Sequence, residues 1–587
     1  MKKQNKFLPL LLILAMMMTF IFPAAVSAAT PLGTDGAIVI RPPSGHSLLS
    51  DNFNAYQLFD LINVTGEGAA AQYAYEPTPA VTAFLAVAGI ADKYVATALT
   101  GSDAAEGFRQ WLQDSDRTEE EIISLAKDLT ANVTALNAVN KNEISKNSAG
   151  QIVFENLNYG YYLVTGESTP ANADGTPYSS NVISRGMLIN VLDIDGDTTA
   201  KIDLKADAPK IDKNVWFDDT AGTGEAYNGT DAPADRNDPG WQEWTDINIG
   251  QTAYFMINST VPNMTGYGEY TYVVHDTLSK GLTYVPDSLQ IRLVKEGETS
   301  VTPTAGVHYT LAVSEATEET TTSIYAGGTK LTVTFTDLKA LVVEEGWTVE
   351  ITYQAVLNEE SIVGNPGNPN KAKLEYSNNP NWNGEGKEPT GETPEEEAKV
   401  YTFDLDIFKY TGNLTGAHTP LKDAEFQLKP KAGDQALFVI PYPGSDYDYR
   451  AVSAEERTAD LLLPEEDQVT TNVLVTNSDG KIRIKGLNAG SYELQETKAP
   501  VGYNLVSGWI TDIVIEKDNS ETGYRLTVSG NPENSVNVLN NTGGQLPGTG
   551  GIGIYRILGI GVVMAVLLTA AFIIYRRKNA MNALNIE

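Results

Sequence analysis

Cysteine is absent from this sequence. Its absence excludes disulfides, the usual staple of small exported domains, together with thiol catalysis and thiolate zinc sites. Only four histidines occur in 587 residues, too widely separated to give a metal-ligand spacing or a Ser-His-Asp arrangement. Positive charge is scarce: 41 Lys and Arg stand against 75 Asp and Glu, a formal net charge of −34. That balance argues against nucleic-acid binding, which needs a basic surface to meet phosphate, and it suits a well-solvated exterior. Long hydrophobic runs are confined to the two ends of the chain. The roughly 510 residues between them hold no run long enough to cross a membrane.

The two ends carry addresses. Lys2, Lys3 and Lys6 precede an apolar segment from Phe7 to Phe22 and then the small residues Ala24-Ala25-Val26-Ser27-Ala28-Ala29. This is the pattern of a secretory signal peptide over residues 1–29, cut after Ala28 or Ala29. At the other end Leu546-Pro547-Gly548-Thr549-Gly550 is followed by an apolar run from Ile557 to Tyr575 and by Arg576-Arg577-Lys578. The run has about the 20 residues a transmembrane helix needs, and the basic triplet favours the cytoplasmic side. Pentapeptide, span and basic tail (546–587) resemble the LPxTG cell-wall sorting signal of Gram-positive surface proteins. In that family a sortase cleaves between the threonine and the glycine, here Thr549 and Gly550, and passes the threonyl carboxyl to an amine.

Between the ends the sequence reads as mainly β: tandem Ig-like β-sandwich domains, the first with an inserted helical region, ahead of the C-terminal transmembrane helix. The first domain spans 30–208. It opens with strand-like Ile38-Val39-Ile40 and Phe53–Phe59, and helical spacing between about Val81 and Asn140 predicts the insertion. The second, 209–398, alternates with a period of two at 271–274, 330–336 and 348–357. It ends in a polar stretch, Asn379–Glu397, expected to be loop. The third, 399–541, opens with Phe403–Lys409, is interrupted by an irregular stretch from Pro430 to about Glu466, and closes at Val536–Asn540. Leu157-Asn158-Tyr159-Gly160-Tyr161-Tyr162 echoes Leu487-Asn488-Ala489-Gly490-Ser491-Tyr492, so the first and third domains are expected to share a module. Asp193-Ile194-Asp195-Gly196-Asp197 looks like the start of a calcium loop, but Leu204 stands where such a loop needs glutamate; a plain turn is expected.

The informative residues break the alternation. Phe403, Leu405 and Ile407 share a strand face with Lys409; Tyr492 and Leu494 share one with Glu496; Val536 and Val538 share one with Asn540. In the second domain the sets are Ile211, Lys213 and Val215; Tyr272, Val274 and Asp276; Leu374, Tyr376 and Asn378. The second and third domains therefore each point a lysine, an acid and an amide at the core. Burial disfavours charge, so it lowers an amine's pKa and raises a carboxylic acid's. A neutral amine held against an amide beside a proton-shuttling acid can displace ammonia and leave a Lys–Asn isopeptide bond.

With these residues in view, the chain resembles a Gram-positive sortase-assembled major (shaft) pilin with CnaB-like domains. Tyr492-Glu493-Leu494-Gln495-Glu496-Thr497-Lys498-Ala499-Pro500 has the family's E-box form, and His275–Leu282 resembles its second-domain segment. The resemblance implies internal bonds Lys409–Asn540, promoted by Glu496, and Lys213–Asn378, promoted by Asp276, with Asn541 and Asn379 as alternative acceptors. No bond is expected in the first domain, which has Arg41 after its opening strand and no aligned glutamate. The resemblance also implies an exposed lysine that attacks the sortase-bound Thr549 of another copy. The family's motif for it is missing, and spacing favours Lys205, with Lys201 and Lys210 open. The implied protein is a structural subunit on the surface of a Gram-positive bacterium and not an enzyme. It needs no cofactor, and its partners are a sortase, other copies of itself, peptidoglycan or a basal pilin, and a host receptor. The alternative is a wall-anchored adhesin or accessory pilin that does not polymerise.

Overall fold

The computed structural model describes residues 32–584 except 43–45, 48–51, 67–70, 96–98, 137–143, 148–149, 172–176, 195, 205–206, 218–239, 318–322, 342, 383, 385–387, 432, 434 and 543–551. The proposed signal peptide and the Leu546–Gly550 motif lie outside the described residues.

In the first unit, one sheet runs in the order Thr199–Asp203, Gly36–Arg41, Ile152–Leu157, Ile144–Lys146. The second sheet runs Met187–Val191, Gly160–Thr165, Asn54–Thr65, Gln72–Pro77. Among the described residues, five helices between Pro79 and Leu136 interrupt the sandwich, as the spacing predicts. The longest, Glu119–Ala131, starts at a reciprocal cap in which Thr118 and Glu121 each bind the other's backbone N–H. These helices bury Phe84, Phe108, Leu125 and Leu129 against Tyr56, Leu58 and Phe59. Strand Asn54–Thr65 is thus covered on both faces, Phe53 and Leu61 entering the sandwich core, and four residues in a row, Tyr56–Phe59, are buried.

The second unit packs a sheet containing Ile211–Trp216, Thr252–Thr260 and Thr348–Leu357 on one containing Tyr272–Leu278, Thr329–Phe335 and Asn368–Ser377. The polar stretch read as loop contains two strands, Thr390–Glu392 and Glu396–Tyr401, both paired with Asn368–Ser377. The buried residues there start with the small Gly391 and Ala398, and the larger Val400 and Tyr401 lie beyond the polar stretch, so the apolar signal within it is faint. In the third unit, Phe403–Gly412 pairs antiparallel with Lys481–Leu487 and parallel with the last strand, Val536–Leu539. The irregular stretch supplies two short strands and a helix, Ala454–Asp460.

The echo is structural. Both hexapeptides form two-residue turns that carry the chain from a strand of one sheet to a strand of the other, and in each the tyrosine hydroxyl donates to the asparagine carbonyl: Tyr162 to Asn158 (2.7 Å) and Tyr492 to Asn488 (2.9 Å). In the calcium-loop-like segment Asp193–Asp197, Ile194 bridges to Asp197 and the Gly196 N–H donates to the Asp193 carboxylate at 2.8 Å, as in a plain turn.

The second and third units meet through hydrogen bonds to the backbone of the Gly486–Ala489 turn. Asp246 accepts from the Ala489 N–H (2.6 Å), Asn248 from the Asn488 N–H (2.8 Å), and the Ile249 N–H donates to the Gly486 carbonyl (2.9 Å). Gly486 has φ +76°, and a Cβ there would sit 2.3 Å from the Ile249 side chain, so the approach requires glycine. Helix Ile552–Leu584 contains an apolar stretch, Leu558–Lys578, long enough to cross a bilayer, with mean hydropathy 2.5 and no burial against the rest of the protein.

Burial pushes Asp246 up to about 7. A raised folded pKa contributes stability that is full below the unfolded value of 3.8 and is lost as pH climbs through about 7. Relative to Asp246→Asn, the native protein should therefore lose thermal stability across that window, and parallel melting curves of the two would show the difference.

Candidate functional site

The alternation of strand Phe403–Gly412 carries Lys409 into the core behind Phe403, Leu405 and Ile407. Lys409, Glu496 and Asn540 are 0%, 2% and 1% exposed. The Lys409 Nζ lies 2.6 Å from Asn540 Oδ1 and 2.8 Å from Glu496 Oε1. Asn540 Nδ2 donates to that same carboxylate oxygen at 3.0 Å, while Glu496 Oε2 accepts from the Val506 N–H at 2.8 Å. One carboxylate oxygen thus touches both the amine and the amide nitrogen. Burial pulls the Lys409 amine below its usual range, against the opposing hydrogen bond from Glu496, and the Phe426 ring lies 5.4 Å below it. Three strands meet here: the first, the last, and the one between that carries the acid.

The second unit assembles a different amide from the one expected. Lys213 and Asp276, both 2% exposed, are in contact through Nζ and Oδ2. The Tyr353 hydroxyl stands 2.9 Å from Lys213 Nζ and 2.8 Å from Asp276 Oδ2, and Asn370 Nδ2 donates to it at 2.5 Å. Burial lowers the lysine and raises the carboxylic acid, so both shifts favour the neutral pair. Asn378 is not in this cluster. Register pairs Asp276 with Ala372, and Asn378 lies six residues farther along, past the end of that strand at Ser377, about 20 Å away in extended chain. There its Nδ2 donates to the Asn181 carbonyl at 3.1 Å. Asn379 instead caps a turn, accepting from the Asn381 N–H at 2.9 Å. Asn370 shares the inward face of Ala372, Leu374 and Tyr376 and is fully buried. Its Oδ1, like Asp276 Oδ1, has no hydrogen-bond partner among the described residues. Following the alternation backward from Tyr376 as well as forward would have found it; Tyr353 carried no signal beyond its place on an apolar strand face.

The first unit has the scaffold without the site. Aligning the two parallel-paired openings, Ile40 beside Ile202 and Ile407 beside Val536, puts Pro42 where the third unit has Lys409. Tyr162 on Tyr492 puts Gly166 where it has Glu496, and a Cβ at Gly166 would fall 2.1 Å from the Phe53 ring. Arg41 is half-exposed and pairs with Asp203 at 2.7 Å.

Among the candidate linking lysines, Lys205 lies outside the described residues. Lys201 and Lys210 are exposed, Lys201 with Asp197 at 3.5 Å. Asn541 is exposed, its carbonyl accepting from the Asn504 N–H at 3.1 Å. Among the described residues no group of three or more His, Asp or Glu could hold a metal ion.

Comparison with known proteins matches residues 249–380 to the Gram-positive pilin backbone subunit 2, Cna-B-like domain, and 415–528 to the SpaA prealbumin-like fold domain. The trypsin-resistant surface T6 protein of Streptococcus pyogenes serotype M6 is 26% identical over 290 residues, so the match spans 47% of this chain and 45% of that one. Among solved structures, the T6 backbone pilin of S. pyogenes serotype M6 aligns over 87% of this chain and 100% of its own, at 18% identity and TM-score 0.42. The major pilin SpaD of Corynebacterium diphtheriae aligns over 87% and 98%, at 17% identity and TM-score 0.39.

Whatever chemistry follows, the two amides differ in what they hold. Asn370→Ala strips a buried network of its amide and should cost at least about 2 kcal/mol, whereas Asn378→Ala should stay within about 1 kcal/mol, read as thermal or denaturant unfolding of the recombinant ectodomain.

Proposed function

We infer that this chain, a Gram-positive pilin with Cna-B-like and SpaA prealbumin-like domains, is the repeating shaft subunit of a covalent pilus. It is exported, polymerised head to tail by a sortase, and stapled internally by Lys–Asn isopeptide bonds. The observation that carries this reading is the Lys409, Glu496 and Asn540 cluster, where amine, acid and amide are in mutual contact and sealed from water.

The chemistry follows from that contact. The neutral Lys409 amine attacks the Asn540 carboxamide carbon; a new N–C bond forms and the bond to Nδ2 breaks. Glu496 Oε1, within hydrogen-bond reach of both nitrogens, takes the proton from the amine and delivers it to the departing nitrogen, which leaves as ammonia. In the second unit Lys213 is the nucleophile, Asp276 the proton carrier and Asn370 the acceptor, with the Tyr353 hydroxyl between amine and amide. Each bond ties the opening strand of a sandwich to a strand late in the chain. Neither is proposed for the first unit, where Pro42, Gly166 and Phe53 fill the corresponding places.

Between subunits, Thr549 is joined to Lys205 of the next copy after cleavage before Gly550. Joining one end of each copy to a different site on the next does not close on itself and makes a filament. The apolar helix holds the precursor in the membrane until transfer, and peptidoglycan or a basal pilin receives the finished polymer. In the native host, Lys205→Ala should abolish the high-molecular-weight ladder on a denaturing gel while Lys201→Ala and Lys210→Ala leave it intact. A ladder unchanged by all three would favour the wall-anchored adhesin.

A further inference from the structure

The two clusters differ in the reach of their acid. In the third unit one atom, Glu496 Oε1, lies 2.8 Å from Lys409 Nζ and 3.0 Å from Asn540 Nδ2, so a single carboxyl group meets the attacking and the departing nitrogen. Asp276 is one methylene shorter. Its Oδ2 meets Lys213 Nζ, but among the described residues no hydrogen bond joins it to Asn370, whose Nδ2 donates instead to the Tyr353 hydroxyl at 2.5 Å.

The hydroxyl fills that gap from across the sandwich. Lys213 and Tyr353 stand on one sheet, Asp276 and Asn370 on the other. The Tyr353 hydroxyl accepts from Lys213 Nζ at 2.9 Å and donates to Asp276 Oδ2 at 2.8 Å, so with Asn370 it meets all three partners and uses its one donor and two acceptor sites. The ring fixes it there: Tyr353 is 2% exposed, pairs in register with Phe255 and stacks on it with centroids 5.5 Å apart. Burial, and then the charge of Asp276, hold the phenol well above its usual range, so it stays protonated. Among the described residues no hydroxyl meets Lys409, Glu496 or Asn540, and the ring beside Lys409 is Phe426.

We propose that Tyr353 is the proton relay of the second unit, its hydroxyl carrying to Asn370 the proton that Glu496 delivers to Asn540 directly; the proposal rests on the isopeptide reading above. The neutral Lys213 amine attacks the Asn370 carboxamide carbon and a new N–C bond forms. The carbon becomes tetrahedral, and Nδ2, no longer conjugated with the carbonyl, turns from donor into acceptor. Tyr353 gives its hydroxyl proton to Nδ2 and takes the proton of Asp276 Oδ2 in exchange. The carboxylate left behind takes one proton from the former amine, the bond to Nδ2 breaks, and ammonia leaves. Tyr353 and Asp276 end as they began.

A short acid and a phenol thus span what one glutamate spans alone, and the exchange can be reversed in the protein. The exported chain, residues 30–541, is compared by intact mass and peptide mapping with Tyr353→Phe and with Tyr353→Phe combined with Asp276→Glu, which together remove one oxygen and add one methylene. Tyr353→Phe keeps the ring against Phe255; it should lower the yield of the Lys213–Asn370 cross-link at least about tenfold and leave Lys409–Asn540 complete. Adding Asp276→Glu should restore the lost bond. An undiminished Lys213–Asn370 cross-link in Tyr353→Phe would overturn the relay and leave the isopeptide reading standing. A loss that Asp276→Glu does not restore would also overturn it, leaving Tyr353 a packing residue. No cross-link in the unsubstituted chain would overturn the isopeptide reading and the relay with it.

Discussion

A lysine ammonium taken out of water is tolerated only when paired or neutralised, and two units of this protein are arranged around that constraint. Removing one member of a buried ionic pair costs on the order of 3–5 kcal/mol, so each lysine commits its neighbours. Lys409 needs Glu496; Glu496 is held by the Val506 N–H; Asn540 must end the last strand facing inward. Lys213 likewise needs Asp276, and the Tyr353 hydroxyl fills the space between that pair and Asn370. As ion pairs these groups are costly ornaments. As reactants they have what a proximity-driven condensation calls for: an amine whose pKa burial lowers, a nearby amide and a carboxyl group fixed beside the amine.

The position of the clusters matters as much as their chemistry. In the third unit the first and last strands lie side by side and parallel, so a chain pulled at its two ends loads them in shear. The covalent bond proposed between Lys409 and Asn540 would carry that load without unfolding the sandwich, the task disulfides perform elsewhere and which a cysteine-free chain must do by other means. The first unit is built on the same inter-sheet turn with its tyrosine-to-asparagine hydrogen bond, yet Pro42 and the Gly166–Phe53 contact replace lysine and acid. Its helices instead add a second core around Phe84 and Phe108.

Much of this was legible in the sequence because strand alternation is strict where both neighbours are buried. Lys213, Asp276, Lys409, Glu496 and Asn540 each broke the apolar pattern of a strand face, and each is buried. Asn378 misled because it also continues an alternating face, and only the pairing of Asp276 with Ala372 shows that the strand ends before it. Register between distant strands is a tertiary property that one strand's pattern does not contain. Strands at Thr390–Glu392 and Glu396–Tyr401 were hidden by their acidic outward faces, and Tyr353 by looking like any core aromatic.

The central claim is that the buried lysines become covalent. The most direct measurement is the intact mass of the recombinant chain from residue 30 to Asn541, followed by peptide mapping. The account predicts a mass below that of the sequence by two ammonia molecules, with cross-linked peptides joining Lys213 to Asn370 and Lys409 to Asn540. A mass equal to that of the sequence would contradict it and leave two buried polar clusters held by hydrogen bonds alone.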